Sequence, residues 1–127
     1  MDTKVYSILV VDDVKENIEI LRLKLASEGF RIEAANTGPA GLEILKNEDI
    51  DLVLLDISMP DMDGITVLKT IRSDSALSHI AVIMATADED LNTAFECMKH
   101  GACGYVTKPF DMDQVKQQIS HCLSKST

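Results

Sequence analysis

An α/β fold with a doubly wound parallel sheet is predicted by three features of the sequence. Five short apolar runs alternate with five amphipathic stretches, and no linker, repeat or low-complexity segment interrupts them. Runs of this length read as buried strands, and strict strand–helix alternation implies a parallel sheet covered on both faces. Right-handed crossovers limit the windings available to such a chain. Periodicity does not fix the strand order. The expected order is 2-1-3-4-5, one of the two common doubly wound arrangements.

The first strand is read over Val5–Val11, mostly β-branched and stopped by Asp12-Asp13. A helix from about Val14 to Glu28 follows, with Val14, Ile18, Leu21 and Leu25 in one narrow arc and Gly29 as its C-cap. Arg31–Ala35 is the second strand. Thr37 then caps a helix to about Lys46, with Pro39 in its first turn, where a missing N–H does little harm. Asp51–Ile57 forms the third strand, followed by the turn Met59-Pro60-Asp61-Met62-Asp63-Gly64 and a helix over Ile65–Ser73. Ile80–Ala85 is the fourth strand, and Asp88 or Asp90 opens a helix ending near His100-Gly101. Gly104–Thr107 is the fifth strand, closed by Lys108-Pro109. The last helix runs over Asp111–Leu123 with Met112, Val115, Ile119 and Leu123 on one face.

The 127 residues suit one domain, residues 1–127, large enough to bury a core without a disulfide or a structural metal. No apolar run approaches the roughly 20 residues needed to cross a bilayer. The start, Met1-Asp2-Thr3-Lys4, lacks a basic segment followed by an apolar one, so a cytoplasmic location is expected. Cys97, Cys103 and Cys122 are odd in number and form no C-x-x-C, which predicts reduced thiols. His79, His100 and His121 lack metal-ligand spacing. A net charge of −9, with Lys and Arg spread along the chain, argues against direct nucleic-acid binding.

The chemistry is signalled by polar residues that interrupt apolar strands. Asp12 and Asp13 end the first strand, Asp56 ends the third, Thr86 follows the fourth and Lys108 follows the fifth. In a parallel sheet these ends share one edge, and the first and third strands flank the switch point where doubly wound folds bind ligands. Singly, each residue has a plain reading as a turn former, a helix-entry residue or a solvated lysine. Jointly, three carboxylates in one crevice repel one another and titrate as a coupled set. A hard divalent cation relieves that repulsion, and Mg²⁺ in particular takes few carboxylates and shares its remaining ligands with phosphate. Lys108 and the Thr86 hydroxyl can hold phosphoryl oxygens, which makes Asp56 a candidate nucleophile for phosphoryl transfer.

The stretches Ile8–Asp13 (ILVVDD), Leu52–Gly64 (LVLLDISMPDMDG), Met84–Asp88 (MATAD) and Gly104–Phe110 (GYVTKPF) resemble the receiver domain of two-component response regulators, in the expected order and over essentially the whole chain. The resemblance implies a flavodoxin-like three-layer sandwich and a signalling switch that catalyses only its own phosphorylation and dephosphorylation. It makes Asp56 the phosphorylation site, with Mg²⁺ bound by Asp13, Asp56 and the Ser58 carbonyl, and by Asp12 largely through water. Lys108 would contact the phosphoryl group, Thr86 would move toward it, and Tyr105 would rotate inward as the switch aromatic. A cis peptide before Pro109 would orient Lys108. The implied donor is a phosphohistidine on a sensor histidine kinase or a histidine phosphotransfer protein. Small Ala87 would leave the phosphoryl group accessible, while Ser58 and Asp88 occupy positions that tune its lifetime. The implied output surface is the fourth helix, fifth strand and fifth helix, with Leu91, Phe95, Met98 and Tyr105 as candidate contacts and a homodimer on phosphorylation as one outcome. For Phe95 and Met98, packing into the core is the simpler expectation. Ile20 and Leu23, off the main stripe of the first helix, are candidates for kinase docking.

Rival chemistries fit less well. A dehalogenase-type phosphatase needs a second Asp two residues after the nucleophile, where Ser58 stands. A flavin or nucleotide binder needs a phosphate loop after the first strand, where Asp12-Asp13 would repel the phosphate. The alternative kept open is an unphosphorylated pseudo-receiver acting purely as an interaction module, which would be expected to lack one of the acidic pair, the acceptor or the lysine. All are present.

Overall fold

The structure is a computed structural model that describes residues 4–60, 62–87 and 91–125, without the side chains of Leu91 and Lys125. The turn residue Asp61, the proposed helix openers Asp88 and Asp90, and the side chain of Leu91 lie outside the described residues. In chain order the elements are β1 (Ser7–Val11), α1 (Lys15–Ala26), β2 (Arg31–Ala35), α2 (Gly38–Asn47) and β3 (Leu52–Asp56). They continue as α3 (Gly64–Ser73), β4 (Ala81–Thr86), α4 (Leu91–Lys99), β5 (Gly104–Thr107) and α5 (Met112–Lys125). All strand pairs are parallel, in the order β2-β1-β3-β4-β5. The doubly wound α/β prediction therefore holds, including its strand order.

Alternation along each strand sends side chains to two separate cores. Leu9, Val11, Val53, Leu55, Val82 and Met84 pack with Leu45 of α2, Val67, Leu68 and Ile71 of α3 and Cys97 of α4. Ile8, Val10, Leu52, Leu54, Ile83 and Val106 pack with Ile18, Leu21 and Leu25 of α1 and Val115 and Ile119 of α5. The sheet is thus the middle layer of three. Each fully buried Leu or Ile contributes about 1.5–3 kcal/mol relative to exposure.

Helix starts follow the chemistry read from the sequence. Thr37 Oγ1 accepts from the Ala40 N–H at 3.1 Å, as expected, whereas α3 starts at Gly64, one residue early, because Asp63, read from the sequence only as a turn residue, caps it by accepting from the Thr66 N–H at 2.8 Å. α1 begins one residue later than expected because Val14 is its N-cap and is largely exposed, not part of the buried stripe. Thr86 belongs to β4 rather than following it.

Two further expectations fail. Phe95 and Met98 are not core residues: they are 70% and 47% exposed, and α4 instead turns Cys97 onto the sheet. The thiols are not all reduced, because Cys103 and Cys122 form a disulfide, leaving buried Cys97 as the free cysteine among the described residues. Cys103 immediately precedes β5 and Cys122 lies in the α5 face packed behind it. The winding of the chain, rather than the spacing of the residues, brings their Cα atoms to 5.8 Å.

Arg72 of α3 ties down the end of the sheet away from the switch point. Its Nε and Nη2 donate to the Gly101 carbonyl at 3.0 and 2.9 Å, and its Nη1 donates to Ile80 and Ser78 carbonyls at 2.7 and 3.1 Å. Gly101 turns the chain after α4 at φ +99°, where a side chain would also meet the guanidinium. Arg72→Ala strips three carbonyls of a charged donor and is expected to cost about 2 kcal/mol, read as a lower urea midpoint with unchanged slope. No helix among the described residues is long and apolar enough to cross a membrane.

Candidate functional site

The register of the sheet assembles the polar residues. Val11 of β1 pairs with Leu55 of β3, so Asp12 and Asp56, one residue further on, stand side by side. Asp56 in turn pairs with Ala85, and Thr86 pairs with Thr107 of β5, just before Lys108. The Lys108 N–H donates to the Thr86 carbonyl at 2.8 Å, and the Lys108–Pro109 peptide is cis. Four strand ends thereby contribute to one small crown.

Asp12 and Asp56 are 2% and 3% exposed, while Asp13 is exposed at the rim. Asp12 Oδ1 accepts the Val14 N–H at 2.8 Å, and its Oδ2 accepts from Asn17 Nδ2 at 3.2 Å. Asp56 Oδ1 accepts the Ser58 N–H at 3.2 Å. Lys108 Nζ lies between them, 3.0 Å from Asp12 Oδ2 and 3.3 Å from Asp56 Oδ2. Asp12, Asp13 and Asp56 each offer a carboxylate oxygen within 4.8 Å of the others. Three carboxylates against one ammonium leave two uncompensated negative charges, the complement of a divalent cation.

Burial dominates the electrostatics of Asp56 and pushes its pKa from 3.8 to about 6. The Lys108 charge pulls it down and the Asp12 charge pushes it back up. For Lys108, burial favours the neutral amine, but the hydrogen bond to Asp12 and the two carboxylate charges outweigh it and leave the pKa raised. Thr86 is buried at the end of β4, and Tyr105, half-buried on β5, is paired with Met84 and packs against the same core layer. Ser58 and Ala87 are exposed at the mouth.

Two residues of the site were not singled out from the sequence. Asn17, in the first turn of α1, holds Asp12 through its amide; a polar residue five positions beyond an acidic strand end is the signal it left. Gly64 opens α3 directly behind Asp56. Its N–H donates to the Ile57 carbonyl at 2.8 Å, and a Cβ there would run into the Asp56 carbonyl and lie 2.8 Å from Ile57 Cα.

Comparison with known proteins agrees with this geometry. The sequence profile of the response regulator receiver domain matches residues 8–120. Response regulator PleD of Caulobacter vibrioides is 36% identical over 104 residues, 82% of this chain and 23% of that protein. Chemotaxis protein CheY-3 of Vibrio cholerae is 37% identical over 113 residues, 88% of this chain and 87% of that one. The chain thus spans about a quarter of the larger regulator and most of the smaller one. The crystal structure of a CheY-like receiver domain from Methanospirillum hungatei superposes with a TM-score of 0.89 at 28% identity, covering 97% of both chains. With its strand order, its acidic crown and its lysine, the chain belongs to the receiver-domain family of response regulators in two-component signalling.

Proposed function

We propose that Asp56 accepts a phosphoryl group from a phosphohistidine on a sensor histidine kinase or histidine phosphotransfer protein, and that the chain works as a switch rather than as an enzyme acting on a separate substrate. One observation carries this reading: a buried carboxylate, 3.3 Å from a lysine ammonium, stands in a cluster of three carboxylates at the mouth of the sheet. An Asp56 oxygen attacks phosphorus as the bond to the donor imidazole breaks, and the imidazole nitrogen takes its proton from solvent. Water later attacks the acyl phosphate and releases inorganic phosphate, regenerating the carboxylate.

Asp13, Asp56 and the Ser58 carbonyl would hold Mg²⁺, with Asp12 bound largely through water, and the donor set of hard oxygens suits that ion. Bound there, the ion would offset charge on the transferring group. Lys108 holds a phosphoryl oxygen, a role supported by its ion pairs with Asp12 and Asp56 at 3.0 and 3.3 Å. The Thr86 hydroxyl and Tyr105 form the switch that carries the change toward α4, β5 and α5, a two-state equilibrium biased by the phosphoryl group. Exposed Phe95 and Met98 suit that face to partner or dimer contact, and exposed Ile20 and Leu23 of α1 suit kinase docking. Residues 1–127 act as one receiver domain, placed in the cytoplasm where its phosphodonors reside. The net charge of −9 speaks against nucleic acid as a direct partner.

Incubation with Mg²⁺ and acetyl phosphate, followed by intact mass measurement, tests the proposal. One added phosphoryl group is expected, labile to hydroxylamine, dependent on Mg²⁺ and absent from Asp56→Asn. Failure to form it both with acetyl phosphate and with phosphorylated histidine donors, together with no detectable Mg²⁺ binding, would point instead to a pure interaction module.

A further inference from the structure

We propose that Cys103 and Cys122 form a reversible thiol–disulfide switch that locks α5 onto the start of β5 in response to small-molecule disulfides. Nothing in the phosphoacceptor site uses these residues. They sit where the fold already holds two sulfurs together: Cys103 just before β5, with its N–H donating to the Val82 carbonyl at 2.7 Å, and Cys122 in α5, 1% exposed. A Cα separation of 5.8 Å lies at the centre of the range a disulfide spans without moving the backbone. α5 lies close against β5 here, since a Cβ on Gly104 would meet Gln118 and come 3.4 Å from Cys122 Sγ.

Accessibility divides the work between the three cysteines. Cys103 is part-exposed and within reach of a small oxidant, whereas Cys122 is buried behind it. Cys97 is fully buried on the opposite face of the sheet, in the other core layer, and burial followed by the Glu96 charge raises its pKa and keeps it a thiol. The reaction is ordinary exchange. The Cys103 thiolate attacks a low-molecular-weight disulfide, forming a mixed disulfide and releasing one small thiolate. The Cys122 thiolate then attacks the Cys103 sulfur and releases the second. Two protein thiols are oxidised, one small disulfide is reduced to two thiols, and the two protons leave with the released thiols.

The bond spans 19 positions and encloses β5, Lys108 and the greater part of α5. Closing it tethers two of the three elements of the face proposed above as the output surface. In a reducing compartment, disulfides that persist only transiently are typically redox sensors.

The test uses the full chain equilibrated across ratios of reduced to oxidised glutathione, acid-quenched, denatured, alkylated with N-ethylmaleimide and weighed. Three adducts are expected under reducing conditions and one under oxidising conditions, with the same midpoint approached from either side. Cys97→Ser is expected to move from two adducts to none. Three adducts at every ratio, accumulation of a glutathionylated chain, or a bond that no glutathione ratio reduces would each overturn the switch. Hydrogen exchange on the native chain at the same glutathione ratios is expected to slow in α5 and β5 on closure, and unchanged exchange there would overturn the coupling to that face. Asp56→Asn is expected to titrate identically, so failure here and failure of the phosphoacceptor reading remain separable.

Discussion

Asp56→Asn is expected to stabilise the metal-free protein at pH 7.5 by about 2 kcal/mol, with the gain vanishing near pH 4. The wild-type carboxylate is 3% exposed and its pKa is pushed from 3.8 to about 6. Between those two values the folded chain retains a proton that the unfolded chain has released. Wild-type stability therefore falls as pH rises through the interval, and the deficit is fully present above it. A tenfold change in acidity is worth about 1.4 kcal/mol, so the rise from 3.8 to about 6 sets a ceiling of about 3 kcal/mol. The amide keeps an oxygen for the Ser58 N–H but surrenders part of the attraction to Lys108, which lowers the expected gain below that ceiling. Urea unfolding of both chains at pH 4, 5.5 and 7.5 measures the effect. Millimolar Mg²⁺ should narrow the gap by stabilising the wild type more than the variant. A variant less stable than wild type at pH 7.5 without metal would contradict the account of burial cost.

Gly64→Ala is expected to be at least as severe, and in the opposite direction. The added methyl would run into the carbonyl of Asp56 itself and press on Ile57 Cα, both of them backbone atoms that cannot rotate away. Relief requires α3 to move off the end of β3, breaking the Gly64–Ile57 hydrogen bond and disturbing Val67 and Leu68 in the core beneath. A loss of roughly 3 kcal/mol is expected from such overpacking. The phosphorylation rate should fall well beyond what the unfolded fraction explains, because the displaced atoms carry Asp56, the proposed acceptor. Thermal unfolding and the acetyl phosphate reaction, both run on the soluble variant, check the two parts separately. Near-wild-type rates in a fully folded variant would show that the close approach of α3 does not position the acceptor.

The fold was legible because β1, β3 and β4 are buried along both faces and the ends of these strands are marked by polar residues. Asp12, Asp56, Thr86 and Lys108 interrupt their strands at one end, and a parallel sheet leaves such residues only one place to meet. What could not be read concerns choices between equivalent local patterns. In α4, Ala94 and Cys97 compete with Phe95 and Met98 as the inward stripe, and close packing against the sheet selects the smaller Cys97. The Cys103–Cys122 bond depends on where α5 comes to rest, which periodicity does not specify. Arg72 reads as an ordinary solvated basic residue at a helix end. Only the return of the chain at Ile80 and Gly101 gives it three carbonyls to bind.

The alternation of side chains between the two cores has a consequence for how the protein can change. Leu54 and Leu55, or Ile83 and Met84, are chain neighbours yet belong to separate packing clusters on opposite faces of the sheet. A substitution in one compartment is insulated from the other by the sheet, so the two can drift, repack and be tuned as separate modules whose effects add. Strand β5, at the margin of the sheet, divides in the same way: Tyr105 packs with one side and Val106 with the other. Even at that margin, then, lineages can rewrite the packing on one side of the sheet while leaving the vocabulary of the other intact.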